Sequence, residues 1–281
     1  MTPPSVCVVM PAYNEAEGIG GFLREIHVSL RPVPHTFVVV DDASSDATPA
    51  VLASLVESGL SVTGLRNARN RGHGPSTLRA LRAGVSSGAD VVIAVDGDGQ
   101  FHGPDIPRIL EAVASGADLA DGVRQYAAVP AYRRTVSACT RLWVRSRCGT
   151  WPSDANTPLR AYRRDVLLRL LQTIPGHHLT PNLMVSALSR SWGLSIAEIP
   201  VTCRDRRGVH RTGTSWGATT TWLPSARFMR FCITAGVGLL GAASRSPSDD
   251  RDSPAIRPLP DIDLAPSPTT SETQLPDRPR D

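Results

Sequence analysis

Lysine does not occur in this sequence, so arginine supplies all 30 of its Lys/Arg charges. A phosphate bound by a cationic side chain would here be bound by arginine, which holds it bidentately. Cysteine is sparse: Cys7, Cys139, Cys148, Cys203 and Cys232 are scattered and form no CxxC pair. That spacing offers neither a zinc site nor a disulfide framework, and it fits a cytosolic setting. The N-terminal MTPPSVCVVMPAYNE has no basic n-region and no long apolar core, so it does not read as a signal peptide. No internal repeat and no nucleic-acid module is found, so the net charge of +4 points to phosphate-bearing partners or anionic surfaces rather than nucleic acid. What is there is ordinary for a globular chain of 281 residues: 41% hydrophobic and 20% charged, enough for one large domain or two small ones.

The most informative stretch is Val91-Val92-Ile93-Ala94-Val95-Asp96-Gly97-Asp98-Gly99-Gln100. Its apolar run reads as a strand buried on both faces, as in a parallel sheet. It stops at two aspartates spaced i, i+2, with glycines that allow a tight turn and a close ligand. Ligands of open α/β sheets bind beyond the carboxyl ends of strands. Two carboxylates and the Gln100 amide oxygen form an oxygen-only set suited to Mg²⁺ or Mn²⁺. A plain Asp-Gly turn accounts for the spacing alone.

Upstream, a first buried strand over 5–10 ends at Pro11, followed by the polar loop Ala12-Tyr13-Asn14-Glu15. Residues 16–30 carry Phe22, Leu23, Ile26 and Leu30 at helical spacing. A second buried strand over 37–40 ends in Asp41-Asp42, and Asp46 is as good a helix cap as a ligand. A weaker strand covers 60–65. The basic loop 67–74 then opens a helix reaching about 87. After the central strand come a helix over 104–114 and a strand over 119–123. This alternation predicts α/β architecture with a mostly parallel sheet flanked by helices. Later elements are expected as an arginine-rich helix within 124–147, a loop and short strand over 150–162, helices over 165–172 and 179–190, and a strand over 195–201. A basic, Gly-containing loop follows over 204–217.

Three regions are expected: a catalytic domain over 1–220, an apolar or amphipathic helix over 221–243, and a disordered tail over 244–281, rich in Pro, Ser, Asp and Thr. The apolar stretch 228–240 is short of the ~20 residues that span a bilayer. It suits either a helix lying on a membrane, with Arg227 and Arg230 among headgroups, or a helix packed on the domain.

The loop P-A-Y-N-E, the V-V-V-D-D-A-S-S-D-A-T segment, N-x-G-x-G opening a helix, and V-D-G-D-G-Q occur in order. Together they resemble the family-2 glycosyltransferases of the GT-A (Rossmann-like) fold, and within them the polyprenol-phosphate (dolichol-phosphate) mannosyl- and glucosyltransferase branch. The likeness covers about residues 5–217. It implies an inverting hexosyltransferase that takes a nucleotide sugar of GDP-mannose or UDP-glucose type to a polyprenyl phosphate. It also implies a cytoplasmic location, at the cytosolic face of the membrane with peripheral contact. By the resemblance, Pro11, Tyr13 and Glu15 would line the base and ribose, Asp41 or Asp42 would bond the base, and Asp96 and Gly97 would border the nucleotide sugar. Asp96, Asp98 and Gln100 would hold Mg²⁺ or Mn²⁺, neutralising the diphosphate as the nucleotide leaves.

The acceptor side is less determined. No E-D or T-E-D base motif stands in the expected place. Asp154, in S-D-A-N-T-P-L-R, matches the D-x-x-[ST]-G-[FL]-[RK] loop of the lipid-phosphate branch, with Pro158 in place of glycine. A phosphate acceptor is already ionised and needs cations rather than a base. The candidates are Arg124, Arg133, Arg134 and Arg211, with Ser215. Arg211 stands in an R-x-G-x-S segment after Glu198-Ile199-Pro200-Val201, one residue short of the branch's spacing unless Arg207 or a neighbour substitutes. His177 and His178 read as loop or helix-start residues. Trp151, Trp192, Trp216 and Trp222 are candidate lipid or sugar contacts, with core packing the alternative for Trp192. Two other functions fit the same motifs: transfer to a hydroxyl of a secondary metabolite or cell-envelope glycolipid, and nucleotide-sugar binding without catalysis.

Overall fold

In a computed structural model of the chain, residues 3–125 and 131–207 are described, with positions 131–133 described by backbone alone. The expected C-terminal helix over 221–243, the tail over 244–281, Arg211 and Ser215 lie outside the described residues. The elements follow as β1 (Val6–Ala12), α1 (Ile19–Ser29), β2 (His35–Asp41), α2 (Thr48–Glu57), β3 (Val62–Arg66), α3 (His73–Ser86), β4 (Val91–Ala94) and α4 (Asp105–Ala114). They continue as β5 (Leu119–Gln125), α5 (Ala131–Cys148), β6 (Arg160–Arg163), α6 (Arg164–Thr173), α7 (Pro181–Ser191) and β7 (Ile196–Thr202).

The strands make one seven-stranded sheet in the order β3-β2-β1-β4-β6-β5-β7. β1 pairs in parallel with β2 and β4, β2 with β3, and β5 with β7; β6 runs antiparallel between β4 and β5. The expected mostly parallel sheet is thus observed, with one reversed strand. The parallel strands read as continuous apolar runs because both faces are covered. Val6, Val8, Met10, Val39, Val91 and Ile93 pack one face, against α1 and α4, while Cys7, Val9, Val38, Val40 and Val92 pack the other, against α3 and α6.

The helical spacing read in 16–30 works as expected: Phe22, Leu23, Ile26 and Leu30 are wholly buried. Each such side chain contributes roughly 1.5–3 kcal/mol of apolar transfer. The helix itself starts later, at Ile19. Its would-be first turn is tied to α2 instead: the Glu15 N–H donates to Thr48 Oγ1 at 2.9 Å and the Ala16 N–H to Asp46 Oδ2 at 3.1 Å. Because β1, β2 and β4 run in the same direction, their carboxyl ends open on one edge, and the site is built there.

Candidate functional site

Backbone bonds carry the parallel ladder past the strand ends and draw the acidic loops together. The Asp42 N–H donates to Ala12 O at 2.8 Å, Val95 N–H to Val9 O at 3.1 Å and Gly97 N–H to Pro11 O at 3.3 Å. Gly97 lies so close to β1 that a Cβ there would stand 3.0 Å from Pro11 O. Gly99 has φ +69° and a Cβ on it would meet the Arg207 side chain at 2.9 Å, so this turn needs glycine on both counts.

At the tip of β4, Asp98 is nearly buried and Asp96 half-exposed. Asp98 Oδ1 accepts the Gln100 N–H at 3.1 Å. Its carboxyl is pushed up to about 6, first by burial and then by the Asp96 charge beside it. Glu15, from the loop after β1, is pushed up to about 7 by burial, with Asp98 and Asp96 adding to it and Arg206 opposing. Three carboxylates from two loops thus share one electrostatic neighbourhood. Arg206 closes it: its Nη2 pairs with Glu15, and its Nε stands 3.5 Å from Asp98 Oδ2.

Arg206 belongs to a strap after β7. The Arg204 N–H donates to Gln100 O at 2.9 Å and the Arg207 N–H to Asp98 O at 3.1 Å. Arg204 Nε donates to Gly99 O at 2.7 Å, and both Arg204 and Arg207 pair with Glu25. The strap therefore fixes the backbone of the Asp98–Gln100 turn. His73, at the start of α3, places Nε2 3.6 Å from Asp96 Oδ1. Neither Arg206 nor His73 was singled out from sequence. The Asp205-Arg206 pair after Glu198-x-Pro-Val was the usable signal for the first, and the glycine-flanked His73 for the second.

The acids ending β2 are engaged differently. Asp42 accepts from Asn67 Nδ2 at 2.6 Å, Arg71 N–H at 2.8 Å and Gly72 N–H at 2.9 Å, which pins the loop opening α3. Asp41 accepts the Ser44 N–H at 2.9 Å and stands 2.9 Å from Arg66 Nη1. Asp46, one residue before the Ala47 N-cap of α2, accepts Thr48 N–H at 2.9 Å and Ala16 N–H at 3.1 Å. Pro11 and Tyr13 are half-buried beside them, and Asn14 turns the loop with φ +55°. The N-terminus of α3 is wedged tightly, since a Cβ on Gly74 would lie 2.5 Å from both His178 O and Leu179 O. His178 itself is a loop residue whose Nδ1 accepts the Thr180 N–H at 3.2 Å.

On the far side of β4, Arg124 forks onto Asp154, with Nε to Oδ2 at 2.6 Å and Nη2 to Oδ1 at 3.0 Å, and also reaches Asn156 O at 3.1 Å. Burial alone would raise the Asp154 carboxyl, but the Arg124 bond and charge outweigh it and hold it below the usual carboxylate range. The loop is anchored from behind. Ser153 donates its N–H (3.1 Å) and hydroxyl to Glu198, and Arg190 bridges Glu198 at 2.7 Å and Asp121 at 3.5 Å. Arg160, wholly buried, stands 2.9 Å from Asp121 and donates to Ser186, which donates to Ala155 O at 2.7 Å. Burial raises the Cys203 thiol to about 11, with Arg124 opposing and the Asp154, Asp98 and Asp105 charges adding to the rise. Arg134 is exposed on α5, and Arg133 is placed by backbone only. Arg124, Asp154, Asp98 and Asp96 are thus brought around one edge, while Arg134 stands on the outer surface of its helix.

Comparison with known proteins gives a consistent assignment. A family model described as glycosyl transferase family 2 matches residues 7–171. An undecaprenyl-phosphate 4-deoxy-4-formamido-L-arabinose transferase of Pseudomonas paraeruginosa is 32% identical over 169 residues, 59% of this chain and 49% of that protein. This chain therefore spans about half the length of that relative. A polyprenol monophosphomannose synthase of Mycolicibacterium smegmatis is 30% identical over 208 residues, covering 71% of this chain and 77% of that protein. Among solved structures, glucosyl-3-phosphoglycerate synthase of Mycobacterium tuberculosis, crystallised with Mn²⁺, UDP and glucosyl-3-phosphoglycerate, superposes with TM-score 0.58 at 18% identity, over 86% of this chain and 80% of that one. At that identity the likeness speaks for the GT-A fold alone.

Proposed function

The chain belongs to glycosyl transferase family 2, and on that basis we propose that it moves a hexose, with inversion, from a nucleotide sugar to a polyprenyl phosphate in a metal-dependent reaction at the cytosolic face of a membrane. The observation that carries the reading is the acid cluster at the tip of β4, where Asp96 and the buried Asp98 meet Glu15 from the loop after β1. Both aligned relatives are named as acting with polyprenol or undecaprenyl phosphate.

Crowded carboxylates raised to about 6 and about 7 are short of positive charge, and this is the electrostatic demand a divalent cation meets. Among the described residues no three His, Cys, Asp or Glu side chains make a ready cage. Asp96, Asp98 and the Gln100 amide oxygen would hold Mg²⁺ or Mn²⁺, with diphosphate and water completing the shell. Bound there, the ion would supply Lewis-acid stabilisation of the departing nucleoside diphosphate.

The chain's own groups divide the remaining work. Pro11, Tyr13, Glu15 and Gly97 wall the nucleotide side. Asp42 pins the loop that opens α3 and Asp41 holds Ser44 and Arg66, so a base reaches either one only by sharing an oxygen already in use. The strap Arg204–Arg207 fixes the turn that carries Asp98. Arg206 either yields its hold on Asp98 to the metal or turns toward the donor phosphates. On the acceptor side, Arg124, with Arg133, Arg211 and Ser215, would orient the acceptor phosphate. Asp154 is clamped by Arg124 and held acidic, which makes it a weak base. That favours an ionised phosphate acceptor over a hydroxyl, which needs a proton removed.

The test is a donor screen: each nucleotide sugar with Mn²⁺ or Mg²⁺, membrane lipid extract as acceptor, and mass detection of products. A glycosylated lipid phosphate is expected, and an Asp154→Asn variant should keep measurable transfer. Glycosylation of a lipid hydroxyl that is abolished in Asp154→Asn would assign the base role to Asp154 and reject the phosphate reading. Donor binding without transfer to any acceptor would reject catalysis.

A further inference from the structure

The helix α5 presents two unlike faces. Its inner side packs on α7, with Val144 buried beside Ala155 and Leu183. Its outer side carries Arg134, Ala138, Arg141, Leu142 and Arg145, all exposed. Their spacing of i, i+4, i+7, i+8 and i+11 puts them on one face of the helix. Leu142 is 58% exposed and Trp151, just beyond the helix, 49% exposed. The two belong to one patch: the guanidinium carbons of Arg141 and Arg145 lie 5.6 and 4.8 Å from the centre of the Trp151 ring.

The charge here is one-sided. Between Gln125 and Ser153 the sequence contains no Asp or Glu and five arginines. Among the described residues no carboxylate pairs with Arg134, Arg141 or Arg145. An exposed tryptophan flanked by arginines and a leucine joins an amphipathic ring to unneutralised positive charge. This combination suits the headgroup level of an anionic bilayer, where indole and leucine sit among upper acyl chains and guanidinium groups meet phosphates. A second copy of the chain is a poor occupant, because a twofold contact would set the same arginines against each other.

We propose that the outer face of α5, with Leu142, Arg141, Arg145 and Trp151, docks the protein on an anionic phospholipid bilayer. The proposal deepens the polyprenyl-phosphate reading and rests on it: Trp151 stands three residues before Asp154, a reach of at most about 10 Å along the chain. Docking there sets the Arg124–Asp154 loop at the depth of a lipid-borne phosphate. No helix among the described residues is long and apolar enough to cross a membrane, so this face holds the described domain from one side.

Sedimentation of the full chain with vesicles tests this, comparing phosphatidylcholine alone with phosphatidylcholine plus phosphatidylglycerol. The wild type should partition onto the anionic vesicles and much less onto the neutral ones. Arg141→Gln with Arg145→Gln should cut partition about thirtyfold, roughly fivefold per arginine. Leu142→Ser and Trp151→Ala should each weaken it several-fold, with melting temperatures unchanged. Turnover of a short, water-soluble prenyl phosphate without vesicles should match wild type in the double-arginine and Leu142→Ser variants, which separates loss of docking from failure of the acceptor assignment. Equal binding to both vesicle types would overturn the proposal, as would variants that all partition like wild type. So would self-association lost in Trp151→Ala in place of vesicle binding, which would give the face to a second copy.

Discussion

Asp98→Asn should stabilise the metal-free protein while removing its response to metal. Asp98 titrates at about 6 in the fold, against an ordinary value of 3.8. At neutral pH it is held ionised at a cost of roughly 3 kcal/mol, at about 1.4 kcal/mol per unit. The side chain is only 11% exposed, so solvent screening removes little of this. Asparagine keeps an oxygen for the Gln100 N–H and loses the repulsion from Asp96. The attraction of Arg206, 3.5 Å away, is already inside that figure, while burial of the amide takes back about 1–2 kcal/mol. The expected net gain is about 1–2 kcal/mol, or a melting temperature about 2–8 °C higher for a domain of this size. Scanning calorimetry at pH 7.5 in EDTA, repeated with Mn²⁺, reads both halves: the variant should melt above wild type in EDTA and show no Mn²⁺-dependent rise. A variant that melts below wild type in EDTA would mean that Asp98 serves the fold rather than sitting strained in a site.

Three further outcomes follow from the same geometry. Glu15, raised from 4.5 to about 7 by burial, binds more protons folded than unfolded, so its stabilising contribution is full below about pH 4.5 and is lost as pH climbs through 7. Urea unfolding without metal should therefore show wild type losing up to about 3 kcal/mol relative to Glu15→Gln between pH 4.5 and 8, and parallel pH profiles would refute the assignment. Arg124→Lys replaces a fork with a point charge, so the acceptor KM should rise about tenfold with the donor KM unchanged; equal rises in both would place Arg124 outside the acceptor side. Arg160→Met leaves Asp121 buried with Arg190 alone and should cost about 3–5 kcal/mol by urea unfolding, partly restored by adding Asp121→Asn; a neutral single variant would contradict the pairing.

The elements legible in the sequence are those whose signals are local. β1, β2 and β4 are uninterrupted apolar runs, as strands buried on both faces must be, and they fall within a residue or two of where the pattern puts them. The shared acidic edge follows from their common direction. What escaped depends on distant partners. Nothing local says that the short strand at Arg160 runs backward between β4 and β5, or that Arg160 meets Asp121 there. α1 starts only at Ile19, after a segment whose Glu15 and Ala16 N–H groups go to Thr48 and Asp46, about thirty residues on. Arg206 reaches Glu15 across 191 residues of sequence, a contact that no local pattern displays. Trp151 was legible as a candidate lipid contact, but its arginine flanks were not.

The most direct test measures nucleoside diphosphate release by the full chain on polyprenyl phosphate in EDTA, then after Mn²⁺ is added back, for wild type and Asp98→Asn. The account predicts release by wild type only once the metal returns, and none by the variant in either state. Undiminished release by wild type in EDTA, or by Asp98→Asn, would contradict it.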